Sequence, residues 1–234
     1  MHARFPLLGI RLPYGAAVAL WLLVPHVAAG QTVAAPQERG GVGVGIGYAS
    51  YATSYWFYGG GHSAWIAWKQ AQAIAFYEGR FLRLGALPTR WRLEARLGTG
   101  SAKDNVGAGY VGNGASLTKG CLSGVLGASV RLPLDVGSPT SPKPYVGLGL
   151  DFGVLWGFGD KSASIYGNGW AEYVLTMPLV AGLVIRTASL TFRPEVRFAL
   201  LGSSSSDLHL SGAGDARQNK SPSMFGVFVS VSRN

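Results

Sequence analysis

Two short runs of this chain carry charge at every second position. Arg92, Glu94 and Arg96 alternate with Trp91, Leu93 and Leu97, and Arg193, Glu195 and Arg197 alternate with Phe192, Val196 and Phe198. Period-2 alternation puts the two sets on opposite faces of a strand. Bases and acids on one face can pair with each other, line a polar conduit, or act as acid and base. An isolated ion in a low-dielectric interior costs several kcal/mol, so pairing is the first expectation. Glu78, Arg80, Arg131, Asp151, Glu172 and Arg186 have the parity to face the same interior. The expected network is therefore Glu78, Arg80, Arg92, Glu94, Arg96, Arg131, Asp151, Glu172, Arg193, Glu195 and Arg197.

Other chemistry finds weaker footing. His62-Ser63 could supply a base and a nucleophile, but adjacent side chains on a strand point apart, and no acid partner follows by spacing. His209 stands in a serine-rich stretch. After the first 30 residues these are the two histidines, and neither belongs to a ligand-spaced cluster, so no metal is expected. Cys121 is the one cysteine, which excludes a disulfide framework and reads as a small lumen or wall residue. Asn105, Asn113 and Asn168 lie among glycines as turn residues. No glycine run opens a helix to cradle phosphate, and no cofactor is expected.

The elements that must position the charged rows are strands. The clearest is Trp170–Leu201, two long apolar strands joined by a turn at Thr187-Ala188. Before it come candidate strands over Val42–Thr53, Ala71–Leu84, Arg90–Gly98, Cys121–Leu134 and Tyr145–Phe158, and after it Met224–Ser232. That makes eight. Short connections follow strands two, four and six, and long ones follow one, three, five and seven. Alternation of short turns and long loops is the up-and-down barrel pattern, with periplasmic turns at one end and extracellular loops at the other. The strands are long enough to cross a bilayer at a tilt. Trp91 and Tyr145 near the turns, and Tyr55, Trp56, Trp156 and Trp170 near the loops, are placed for interfacial girdles.

Charge pattern also suggests a register. A turn over Gly85–Thr89 sets Arg80 opposite Glu94 and Glu78 opposite Arg96, two attractive pairs. A two-residue slip would make both pairs repulsive.

Composition agrees with an exported β-rich chain. Hydrophobic residues are 48% against 13% charged, and many of the 35 glycines lie inside apolar runs such as Gly41–Gly47, where they suit a strongly curved wall. Met1–Arg11 is basic, Ala16–Val24 is apolar, and Ala28-Ala29-Gly30 is small, the order of a secretory signal peptide. The expected division is a signal peptide over 1–30, a short segment over 31–40 and a barrel over 41–234. The net charge of +9 suits the phosphates of lipopolysaccharide, since an exported chain does not meet nucleic acid.

The chain after residue 30 resembles the small eight-stranded bacterial outer-membrane barrels of the OmpA/OmpX type in architecture and pattern. The resemblance implies an all-β, eight-stranded antiparallel up-and-down transmembrane β-barrel in the bacterial outer membrane. Its implied partners are membrane lipid, lipopolysaccharide and the barrel insertion machinery. Such chains usually end on an aromatic residue that this machinery reads; this one ends Val231-Ser232-Arg233-Asn234. Some similar barrels act on lipid A acyl chains through Ser and His near the outer rim, which makes His62-Ser63 a minor enzymatic alternative. The main expectation is a non-enzymatic barrel with an ion-paired lumen and loops for envelope or surface contacts. A narrow channel for small or apolar solutes is the competing one.

Overall fold

A computed structural model describes residues 41–57, 63–80, 89–106, 118–134, 141–158, 170–206, 209–210 and 214–233. The expected signal peptide and the segment 31–40 lie outside the described residues, as does His62. The described residues form nine strands: β1 Gly41–Phe57, β2 Ser63–Arg80, β3 Arg90–Val106, β4 Thr118–Pro133, β5 Lys143–Phe158, β6 Trp170–Arg186, β7 Leu190–Ser206, β8 His209–Leu210 and β9 Gly214–Arg233. Each of β1 to β7 pairs antiparallel with its neighbour, β7 pairs with β9, and β9 pairs with β1. The sheet is closed. The two-residue β8 pairs only with the start of β9 and stands apart from the eight wall strands.

Side-chain polarity is inside out. Val42, Val44, Ile46, Leu93, Leu97, Leu126, Leu150, Phe152 and Phe225 are exposed on the outer face, whereas Arg92, Arg96, Arg131, Asp151, Glu195 and Arg197 are buried. A water-soluble barrel would reverse this. Apolar residues facing out and charges facing in define a transmembrane β-barrel. No helix among the described residues is long and apolar enough to cross a membrane.

The wall is taller than the sequence suggests. β1, β3, β7 and β9 continue into stretches expected to be loops, and β2 begins at Ser63 rather than Ala71. Some of these extensions, such as Gly202-Ser203-Ser204-Ser205-Ser206, lack apolar alternation. The backbone ladder continues through them: Glu172↔Ser206 and Thr176↔Gly202 pair on one side of β7.

The expected register of β2 on β3 is corrected. Arg80 lies opposite Arg90, Glu78 opposite Arg92, and Phe76 opposite Glu94. Residues 81–88 lie outside the described residues, and the observed alignment is the one that seats Trp91 against a glycine. Trp91 falls opposite Gly79 and lies so close that a Cβ there would stand 2.6 Å from its ring. Trp91 also stacks on Tyr77 with centroids 5.2 Å apart. The expected register would have put Arg83 in the place of that glycine. By contrast, the β6–β7 turn falls at Thr187–Ser189, where Thr187 bonds Leu190 through its backbone N–H (2.8 Å) and exchanges two bonds through its hydroxyl.

Candidate functional site

The lumen is stacked in layers along the barrel axis. Its charged layer begins at the turn end. Of the eleven residues expected there, Glu78, Arg92, Glu94, Arg96, Arg131, Asp151, Glu172, Arg193, Glu195 and Arg197 are buried. The Arg80 side chain lies outside the described ones. Arg186, at the end of β6, is exposed rather than enclosed, since the strand outruns the wall there.

Glu94 is the hub of this layer. Arg197, reaching across the barrel from β7, grips both carboxylate oxygens, Oε2 at 2.9 Å. Arg92 Nε stands 3.0 Å and Arg96 Nε 3.2 Å from the same carboxylate. Arg96 also pairs with Asp151 on β5, and Arg197 also pairs with Glu195 through Nε at 2.8 Å and through Nη2. Glu195 in turn binds Arg131 at 2.9 Å and accepts a hydrogen bond from the Tyr145 hydroxyl at 2.6 Å. The sequence places Tyr145 in an interfacial girdle. It points inward instead, because that hydroxyl completes the Glu195 coordination.

Aromatic rings floor the guanidinium groups. Arg92 sits 3.7 Å over the Phe76 ring, and Arg197 sits 4.7 Å over Phe228. Both rings need the glycines of β1. A Cβ at Gly43 would collide with Phe76 and one at Gly47 with Phe228. The alternation Gly-Val-Gly-Val-Gly-Ile-Gly thus carries two messages: branched residues for lipid, and slots for rings. Face-on contact with arginine stabilises by about 0.5–2 kcal/mol in such desolvated sites.

Above the charges lies a neutral polar belt. Ser123 Oγ donates to Gln70 Oε1 at 2.6 Å, Gln72 Nε2 donates to Gln70 Oε1 at 3.2 Å and to Tyr51 Oη at 3.5 Å, and Gln70 Nε2 approaches Cys121 Sγ at 3.5 Å. Nearer the loops, Ala49, Ile66, Trp68, Ala102, Leu155, Val174 and Met224 are buried together. Cys121 joins them as a small lumen residue. Glu172 is separate from the arginine layer and accepts a hydrogen bond from Thr53 Oγ1 at 3.2 Å.

Several of these lumen residues escape sequence reading. Ile66, Trp68, Ile74 and Phe76 face inward while Ala67, Ala71, Ala73 and Ala75 face outward, so on β2 bulk and lipid exposure are inverted. The signal that could have found them is parity with Glu78, extended back along the strand. Chemically, the carboxylates of the charged layer are engaged by guanidinium groups, which suits a fixed electrostatic plug. Among the described residues no cluster of His, Cys, Asp or Glu could hold a metal ion. Tyr55, Trp56, Ser63 and Trp170 have side chains outside the described ones.

No family model matches the chain, and no curated protein matches it. Solved structures with the barrel form include neisserial surface protein A, at 14% identity and TM-score 0.46, covering 84% of this chain and 99% of that one. A major outer membrane protein from Thermus thermophilus matches at 14% identity and TM-score 0.41, covering 81% and 99%. The outer membrane protease OmpT from Escherichia coli matches at 8% identity and TM-score 0.45, covering 87% and 97%.

Proposed function

We propose that this chain is an integral protein of the bacterial outer membrane, non-enzymatic, closed along its axis by its own ion pairs and acting through outward-facing loops. Membrane lipid and lipopolysaccharide are its neighbours, and the barrel insertion machinery is its route into the membrane. One observation carries the reading: three consecutive layers fill the lumen, and side chains as large as Trp68, Arg92, Arg96 and Phe228 are fully buried in them. Eight strands enclose a space just wide enough for side chains to fill. A solute path would have to break the paired charges of the turn-end layer, and an uncompensated buried ion costs several kcal/mol.

Refolded protein in a planar bilayer should therefore give a quiet baseline, free of resolved current steps across a wide voltage range. Reproducible, ion-selective steps that disappear when Gly127 or Gly153 is enlarged would replace this reading with a narrow channel.

A further inference from the structure

The outer wall is lopsided. Outward positions are apolar throughout 146–158 on β5 and 173–185 on β6, but only over 42–48 on β1 and 71–77 on β2. At a rise of about 3.3 Å per residue and a tilt of about 40°, the apolar height is roughly 30 Å on one side and roughly 15 Å on the other. On the short side the outer face turns polar one step beyond Tyr48 and Ala71. Ser50, Lys69 and Ser101 stand there side by side across β1, β2 and β3. Lys103 lies diagonal to Lys69, since its own partner on β2 is Ala67. Both lysines are exposed, and the two serines are partly exposed beside them.

Diagonal neighbours across a ladder stand about 7–8 Å apart, within reach of long side chains, so the two ammonium groups can converge on one anion. The acids whose side chains are described, Glu78, Glu94, Asp151, Glu172 and Glu195, are buried in the lumen, and none of them meets this pair on the outer face. Lysine pairs with phosphate as a point charge, and its stem can lie along an apolar wall with the ammonium at headgroup level. A phosphate monoester carries close to two negative charges, which matches two lysines, whereas a phospholipid diester carries one. Below the lysines the outer face of β2 is low: Ala71, Ala73 and Ala75 run between Ile46 on β1 and Leu97 on β3, and Tyr77 closes the far end. An acyl chain laid there continues downward from a headgroup at Lys69. We propose that Lys69 and Lys103 hold a monoester phosphate of lipopolysaccharide, with Ser50 and Ser101 donating to its oxygens and one acyl chain lying over the β2 alanines. The site rests on the reading of the chain as an outer-membrane barrel with its loops outward.

The test uses the refolded protein in zwitterionic micelles, titrated with diphosphoryl lipid A and followed by native mass spectrometry. Binding should saturate at one molecule per barrel. Lys69→Gln and Lys103→Gln should each weaken it about fivefold, the scale of one surface lysine against an anionic lipid, and the double variant should weaken it more than tenfold. All three variants should keep the parent's urea midpoint in phosphatidylcholine vesicles, because neither lysine belongs to the ion-paired lumen; a lowered midpoint would make the lysines structural and overturn the site. Equal binding by parent and double variant would overturn it too. So would equally tight binding of lipid A stripped of its phosphates, or of phosphatidylglycerol, since the doubly charged phosphate would then not be what is read. Planar-bilayer current separates this site from the closed-barrel reading. A quiet baseline with lysine-independent lipid A binding removes the site alone, and stepwise current with lysine-dependent binding removes the closed barrel alone.

Discussion

Around Glu94 three guanidinium groups converge on one carboxylate, and that ratio governs what its loss does. Glu94→Gln leaves Arg92, Arg96 and Arg197 with Asp151 and Glu195 as their remaining acids in the layer. Stranding a buried charge costs about 3–5 kcal/mol. Adding Arg197→Met should return part of that loss, because the cation aimed at the missing carboxylate goes with it. Urea unfolding in lipid vesicles measures both, and equal midpoints for single and double variants would mean that the lumen is solvated. Parity along β3 and β7 was enough to group Arg92, Glu94, Arg96, Arg193, Glu195 and Arg197 on one face. It could not name partners. The Glu94–Arg197 bond spans 103 residues of sequence and joins strands that never pair. No ladder register encodes such a contact.

Strands report their own alternation well and their alignment poorly. The outward faces of β5 and β7 follow the expected pattern, with Val146, Leu150 and Phe152, and Phe192, Val196 and Phe198, exposed. Yet the alignment of β2 with β3 was settled by the fit of Trp91 over Gly79, a matter of shape that charge counting cannot see. The polar upper halves of β3, β7 and β9 were equally hidden, since backbone pairing without an apolar face leaves no periodic mark. Depth along the wall now separates sites that the sequence treats alike. Leu150 stands seven residues into β5, whereas Phe192 is two residues from the start of β7. Arginine at the bilayer midplane costs about 2–4 kcal/mol and near the interface about 0–1. Leu150→Arg should thus be clearly more harmful than Phe192→Arg in folding titrations with lipid vesicles. The reverse order would place the membrane elsewhere on the wall.

For the whole molecule, orientation in the membrane decides which loops meet the outside. The expected orientation puts Lys103–Lys119 and Ser203–Lys220 outside the cell and Ser138–Pro142 in the periplasm. In a Cys121→Ala background, cysteine at Ser205 should react on intact cells with an impermeant reagent, and cysteine at Ser141 should not. Labelling with the opposite preference would invert the barrel. The eight wall strands run from 16 to 20 residues. Only about 9–11 tilted residues are needed to cross the hydrocarbon. At a rise of about 3.3 Å per residue and a tilt of about 40°, the surplus is roughly 15 Å of hydrogen-bonded wall. With the loops outward, that surplus is a mast. It would lift the attachment points of the loops clear of the lipid headgroups. A partner would then meet these loops at an elevation fixed by the cylinder beneath them, and their search for contact begins from a platform that does not sway.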